Sequence, residues 1–302
     1  MDVTVAVPSI LRSTLEELLE CLEAQTYRDF KILIVYKGEM RESVEAFAKK
    51  LDIEFYKQKD GLLEEAYNLI LERSSSEILL FTDDDACPGS KWIEEHILFH
   101  QSHPEVGIAG GLISGKYWQN YPNQAYELLK NTPYMEEIDP VFRGYVGYLT
   151  RTGLSVDRAR HTNNEKTLAV AGVNMSLKGF LFRGFQAYTY SLFASYIETQ
   201  LSLHALKQGY SSVRFPGAIT HHKNIPSLSV PRKEDEWKLV LEKYTFPYVA
   251  DKFYRVDRKL LGELSEIMDG VPRRGLKLAL TGIERDLRPL EFREAIRKEV
   301  GI

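Results

Sequence analysis

The tightest constraint on the fold is an alternation that runs through residues 3–82. Short apolar runs at 3–8, 31–36, 53–56 and 78–82 read as strands. Between them, Leu15, Leu18, Leu19 and Leu22, then Val44, Phe47, Ala48 and Leu51, then Ala66, Leu69 and Ile70 recur at helical spacing. Ser13, with Glu16 three places on, has the form of a capping box opening the first helix. Connections that contain a helix join parallel strands rather than hairpins, and a parallel sheet needs cover on both faces. The chain is therefore read as α/β, with a mostly parallel sheet whose ligands bind beyond the carboxyl ends of its strands.

Further on the pattern loosens. Residues 106–111 read as another strand, and 116–160, rich in aromatics, prolines and charges without a period, as loops and short helices. Strand character returns at 168–177, and residues 91–103 and 195–207 read as helices, the second stopping at Gly209. Strands at 211–215 and 218–221 flank the Pro216-Gly217 turn. Pro226 and Pro231 punctuate the chain, and from Glu234 onward it reads as helices rich in Lys, Arg, Glu and Leu. This division gives a catalytic domain over 1–225, halved at 1–115 and 116–225, and a helical extension over 226–302.

Composition excludes more than it suggests. A net charge of -4 supplies no electrostatic reason to expect nucleic acid as the main partner. The two cysteines, Cys21 and Cys87, are far apart and lack metal-ligand spacing, so a disulfide is not expected and a reducing, cytoplasmic setting is. The N-terminus enters a strand at once, which argues against a signal peptide. No apolar run approaches the roughly 18 residues that span a bilayer.

Two places carry chemistry. Asp83-Asp84-Asp85 follows an apolar strand and precedes Pro88-Gly89. Adjacent carboxylates repel unless a cation is bound, and hard divalent ions bridge such oxygens to phosphates. The bland alternative is a solvated acidic loop capping the 91–103 helix. Between Glu165 and Glu234 the only acidic residue is Glu198, among Lys178, Arg183, Lys207, Arg214 and Lys223. It is either ion-paired for structure or held in a cleft for proton transfer. His221 and His222 are adjacent on a strand and point to opposite faces, so at most one meets a site.

Together these segments resemble the family-2 inverting glycosyltransferases of the GT-A fold. Val3-Thr4-Val5-Ala6-Val7-Pro8-Ser9 and the Gln25-Thr26-Tyr27 helix end are similar to that family's opening. Gly61, Ala66 and Asn68 resemble its GxxxARN segment, and Thr82-Asp83-Asp84-Asp85 its Asp-x-Asp motif. Gly172-Val173-Asn174-Met175-Ser176 resembles GxNMS, on the acceptor side. Ile197-Glu198, leading to Gln208-Gly209-Tyr210, stands where the family has an acidic pair ahead of AGY, and Pro216 to His222 resembles its closing strand.

The resemblance implies a nucleoside-diphosphate-sugar donor, a hydroxyl acceptor on a glycan or lipid-linked glycan, and inversion at the anomeric carbon. It implies Mn²⁺ or Mg²⁺ held by Asp83, Asp85 and His222, and Glu198 as catalytic base. The donor would be lined by Pro8, Ser9, Arg12, Lys37, Gly61, Asn68, Asp83 and Asp84, with Asn174 and Met175 on the acceptor side. Departures from the pattern are Tyr36-Lys37-Gly38-Glu39 in place of DDGS and Tyr67 in place of the ARN arginine, both assigned to the nucleobase side. The missing DDGS aspartate and the acidic pair reduced to Ile197-Glu198 keep a catalytically silent GT-A-like binding module as the alternative. A sugar nucleotidyltransferase fits less well, since residues 9–13 lack its glycine-rich loop. The basic, apolar stretch at 271–280 suits peripheral contact with the inner face of a membrane, packing on the catalytic domain, or a homodimer contact.

Overall fold

The computed structural model describes residues 1–115, 122–158, 164–193, 195–223, 225 and 232–302. Pro226 and Pro231 lie outside these, as does part of the loop-rich 116–160 stretch. The expected alternation opens the chain: β1 (Val3–Ser9), α1 (Thr14–Glu23), β2 (Lys31–Tyr36), the one-turn α2 (Glu42–Glu45), β3 (Ile53–Lys57), α3 (Leu63–Arg73) and β4 (Ile78–Phe81). The middle comprises β5 (Ala86–Pro88), α4 (Trp92–Ser102), β6 (Val106–Gly110), β7 (Ile113–Gly115), α5 (Pro122–Leu129), β8 (Gly147–Leu149), β9 (Ser155–Asp157), β10 (Glu165–Lys166) and β11 (Met175–Lys178). Then come α6 (Ile197–Lys207), β12 (Ser211–Arg214) and β13 (Thr220–His222). Five helices follow: α7 (Glu236–Lys243), α8 (Pro247–Phe253), α9 (Arg258–Ile267), α10 (Gly270–Glu284) and α11 (Pro289–Val300).

The main sheet runs β10-β12-β6-β11-β4-β1-β2-β3, and a small second sheet runs β5-β13-β7. Pairing is parallel from β4 through β1 and β2 to β3, while β11 runs antiparallel between β4 and β6. The period-two alternation sorts side chains by face. Val3, Val5 and Val7 meet the α1 leucines and Trp92, Ile93 and Ile97 of α4. Ala6, Leu33 and Val35 meet Ala66, Tyr67 and Ile70 of α3 and Ile197 and Leu201 of α6. A third cluster joins the C-terminal helices to Tyr190, Leu192, Tyr196 and Leu203. The extension thus shares a core with the segment that leads into α6.

One topological fact positions the site. β1 lies between β2 and β4, so the path through the sheet reverses there, and it is beyond the strand ends at such a reversal that open α/β sheets form a ligand crevice. The acidic turn follows β4.

Four local expectations are corrected. Ser13 already has helical backbone angles and makes no capping bond through its side chain; Glu16 pairs with Arg41 and Ser43 instead. The second helix is one α-turn followed by a 3₁₀ turn, Ala46–Lys49, because Val44 alone is fully buried and so narrow a stripe does not sustain a longer helix. The strand expected at 168–177 shrinks to β11 behind a 3₁₀ turn, Gly172–Asn174, because the Gly172 N–H turns to the Glu198 carboxylate. Finally, Cys21 and Cys87 form a disulfide, with Cα atoms 5.6 Å apart. Their distance in sequence concealed it: the end of α1 packs on β5.

Candidate active site

The acidic turn divides its three carboxylates between two tasks. Asp84 is buried and faces back toward β1, accepting hydrogen bonds from Ser9 Oγ (2.7 Å), Ile10 N–H (3.3 Å) and Arg12 (3.1 Å). Burial pushes its carboxyl above the usual range; the Ser9 bond and the Arg12 charge oppose this, and Asp83 and Asp85 add to it. Asp84 therefore ties the two loops of the crevice together. Asp83 and Asp85 face the other way, toward His222.

His222 arrives from the small sheet. β13 pairs with β5, setting His222 opposite Ala86, the residue after Asp85, and the Lys223 N–H donates to the Asp85 carbonyl at 3.0 Å. This fixes His222 Nε2 at 3.1 Å from Asp85 Oδ1 and 3.3 Å from Asp83 Oδ2. One ligand atom from each residue lies within 4.8 Å of the other two. Burial works against the charged imidazole, but the hydrogen bonds to, and charges of, Asp83 and Asp85 outweigh it and raise its pKa. Neighbouring His221 is exposed, as strand alternation requires. Two carboxylates and an imidazole converging at a crevice make a donor set that Mn²⁺ or Mg²⁺ accepts while keeping positions for phosphate oxygens.

Glu198 forms the opposite wall. It sits in the first turn of α6, where the helix dipole favours an anion, and its Oε1 accepts the Gly172 N–H at 3.1 Å. Burial pushes its carboxyl up to about 7, with Asp83 adding to the shift; its own backbone N–H, the Lys243 charge and the Gly172 bond oppose it. Such a group holds and releases a proton near neutral pH. Tyr196, at the helix cap, takes the left-handed conformation with φ 67°, a conformation that costs a non-glycine residue energy and here sets the direction from which α6 starts.

Residues 4–158, just over half of the chain, match glycosyl transferase family 2. The chain belongs to that family. An amylovoran biosynthesis glycosyltransferase of Erwinia amylovora is 33% identical to this family-2 chain over 105 residues, which are 33% of the chain and 39% of that protein's length. Two solved structures share the GT-A fold. The Pyrobaculum calidifontis mannosyltransferase PcManGT, in complex with GDP-Man and Mn²⁺, aligns over 99% of this chain and 74% of its own, with TM-score 0.53 and 16% identity. S. aureus TarS, in complex with UDP, aligns over 99% and 82%, with TM-score 0.52 and 14% identity.

The remaining residues expected at the site divide into near and structural. Ser9 and Arg12 line the crevice, Arg12 also lying 3.5 Å from Asp85. Pro8 is buried within β1. Lys37 Nζ donates to the Gly61 carbonyl, closing the gap between the ends of β2 and β3, and Gly61 needs its positive φ of 89° there. Asn68 is used structurally: its amide donates to the Ala187 carbonyl (3.0 Å) and accepts the Ala187 N–H (2.8 Å). Met175 is buried in β11, opposite Phe81 and Gly110.

Asn174 is the most heavily used. Its amide nitrogen donates to the Leu112 and Ala218 carbonyls (2.7 and 2.6 Å), and its oxygen accepts from Trp92 Nε1 (2.7 Å) and His96 Nε2 (2.9 Å). Because that oxygen can only accept, His96 carries its proton on Nε2 and accepts at Nδ1 from Ser176 Oγ (2.7 Å), which in turn accepts from His100 Nε2 (2.9 Å). Burial holds both histidines neutral, at about 4 and about 3. Asn174 thus fixes the backbone ahead of β7 and β13 from beneath and has no group left for an acceptor.

Two residues stand where the sequence reading did not put them. Tyr67, assigned there to the nucleobase side, is buried and stacked on Phe81 at 4.6 Å. A Cβ on Gly172 would stand 2.2 Å from the Tyr67 hydroxyl and 2.6 Å from Glu198 Oε1, so that hydroxyl borders the Glu198 wall. Lys243 reaches the same wall from α7, its Nζ 4.3 Å from the Tyr196 ring centroid. The only available signal was an acid and a base, Glu242-Lys243, set into the apolar run Leu239 to Phe246.

Proposed function

We propose that the chain transfers a glycosyl group from a nucleoside-diphosphate-sugar to an acceptor hydroxyl in a single displacement that inverts the anomeric carbon. The observation that carries this reading is the convergence of Asp83, Asp85 and His222 at the β1/β4 crevice, facing a carboxyl poised near neutrality. Asp83, Asp85 and His222 would hold Mn²⁺ or Mg²⁺, which when bound supplies charge neutralisation for the departing diphosphate. Asp84, through Ser9 and Arg12, keeps the β1 loop beside that turn, where backbone N–H groups and Arg12 can meet phosphate oxygens. Glu198 accepts the proton of the attacking hydroxyl. Metal-dependent binding is supported by PcManGT, whose structure contains GDP-Man with Mn²⁺.

Lys37 and Gly61 belong to the donor side in this reading, and the acceptor is a glycan or a lipid-linked glycan. The test is calorimetry of UDP and GDP with and without Mn²⁺. At least one nucleotide should bind only with the metal, and Asp85→Ala should abolish that binding. Metal-independent binding, or full binding by Asp85→Ala, would refute the metal site. Mn²⁺-dependent hydrolysis of UDP-GlcNAc or GDP-mannose in the absence of acceptor would separate an enzyme from a silent binding module.

A further inference from the structure

The backbone that leads into Glu198 has little regular structure, and side chains from three helices hold it. Asn68 of α3 brackets Ala187. Gln200 of α6 brackets Tyr188, accepting its N–H at 2.8 Å and donating to its carbonyl at 3.2 Å. Glu64 of α3, fully buried, accepts the Ser191 N–H at 2.9 Å and is paired with Arg293 of α11 at 2.9 Å. Glu242 of α7 accepts N–H groups from Leu192 (2.5 Å), Phe193 (3.1 Å) and Ser195 (3.3 Å). Tyr196 follows in its left-handed conformation, with the Lys243 ammonium over its ring, and α6 begins. A loop gripped this closely is a mounting, and Glu198 is the ionisable group mounted in that first turn of α6.

We propose that the Glu242-Lys243 pair at the end of α7 is a positioning element for Glu198, Glu242 fixing the backbone at Leu192, Phe193 and Ser195 and Lys243 setting a cation over the Tyr196 ring at the start of the helix that carries Glu198. This rests on the reading of Glu198 as the base. Two adjacent residues of one helix, pointing at one loop, do two jobs. The carboxylate satisfies backbone donors that no strand or helix satisfies, and the ammonium lies over the capping ring two residues before Glu198. The charge relations agree. Lys243 is held below its usual pKa by burial, with the Glu198 and Glu242 charges working the other way, and its own charge pulls Glu198 down. The titratable groups around Glu198 are Lys243 from α7, Asp83 from the acidic turn and Tyr67 from α3. Lys243 alone among them stabilises the ionised form.

The test needs no identified substrate. The Glu198 side-chain carboxyl is titrated by carbon NMR in the metal-free full-length protein, as wild type, Lys243→Met and Lys243→Arg. Lys243→Met should move the midpoint to higher pH, and Lys243→Arg should return it toward wild type. An unmoved midpoint in Lys243→Met overturns the proposal, as does an equal shift in both variants, and Lys243→Gln replaces the Met variant if that one does not fold. With UDP-GlcNAc or GDP-mannose, whichever is hydrolysed, Lys243→Met should lower kcat roughly tenfold while the Kd for the nucleotide with Mn²⁺ stays unchanged. Parallel loss of kcat and nucleotide affinity would mean a general structural role. Glu198→Gln, run alongside, separates the two readings. Full turnover in Glu198→Gln removes the base assignment itself, whereas an inactive Glu198→Gln with a normal Lys243→Met removes only this proposal.

Discussion

The two walls of the crevice are built in different ways. On the acidic wall, the three converging residues sit on or beside two short paired strands, and a disulfide anchors one of those strands to α1. On the opposite wall a single carboxylate depends on α3, α7 and α11, which are spread over most of the chain. A site that must hold a charged ligand can be built from a local turn. A base with a pKa near neutrality needs a dry, shaped surrounding, and that surrounding is non-local.

The largest expected effect separates the walls by phenotype. Glu198→Gln should lower the turnover rate by roughly 10²–10⁴, the range a general base contributes, while nucleotide and Mn²⁺ still bind. A loss of binding as large as the loss of rate would erase the distinction between the walls. The pH dependence follows from the same group. Its carboxyl sits at about 7 because it is buried, so the proton-accepting form predominates only above that pH. The rate should rise with pH through the neutral range and flatten on the alkaline side. A rate already at its plateau at pH 5 would show that another group takes the proton.

Next in size is the foundation of the acidic wall. Asn174→Leu would strand the Trp92 and His96 donors and the Leu112 and Ala218 carbonyls in a dry interior. With one of each pair removed, buried polar groups lose their partners outright, and about 3 kcal/mol or more of stability should go, read from urea unfolding. Metal affinity should fall too, since the Ala218 carbonyl lies just ahead of the strand that carries His222. A variant as stable as wild type would show that this polar chain is dispensable.

These two predictions also mark what the sequence made legible. The β1-to-β4 alternation could be read because it depends on period-two and period-3.6 patterning, whereas strand alternation said only that at most one of His221 and His222 meets a site, and it was the family resemblance that pointed to His222 and to the acidic turn as a metal site. The resemblance marked Asn174, but not that its four hydrogen-bonding positions are all spent on the scaffold. Nor can spacing show that the Asn68 amide makes a two-way bond to the Ala187 backbone. The place of Tyr67 and Lys243 at the Glu198 wall was missed because it depends on how α3 and α7 dock, and docking leaves no periodic trace. Cys21 and Cys87 failed as a pair for the same reason.

The disulfide gives the next prediction. It closes a sequence separation of 66 residues, so removing it should cost about 2–4 kcal/mol through the freedom returned to the unfolded chain. The Cys21→Ser/Cys87→Ser double variant should unfold at lower urea by that margin. Since β5 begins one residue after Asp85, nucleotide affinity with Mn²⁺ should weaken while the Glu198 titration stays in place. A shift in that titration would show that the walls are mechanically coupled.

The smallest effect tests how far the extension serves the Glu198 wall. Arg273, Arg274 and Lys277, in the stretch suited to a membrane surface, are paired with Glu266 and Glu299, while Leu276 and Ala279 are fully buried beneath them. Among the described residues no helix is long and apolar enough to cross a membrane. The apolar face of α10 is already covered by protein and its cations by carboxylates, which leaves little of either for lipid. Arg274→Ala, which removes a half-exposed pair with Glu299, should change stability by at most about 1 kcal/mol and leave turnover unaltered. Neither wild type nor variant should sediment with anionic vesicles at low salt. Arg293, on the inner face of α11, is the internal control: it pairs with Glu64 and Glu65, and Arg293→Ala leaves the fully buried Glu64 without its cation. If Arg274→Ala impaired turnover as much as Arg293→Ala, the outer face of the extension would have to carry function as well.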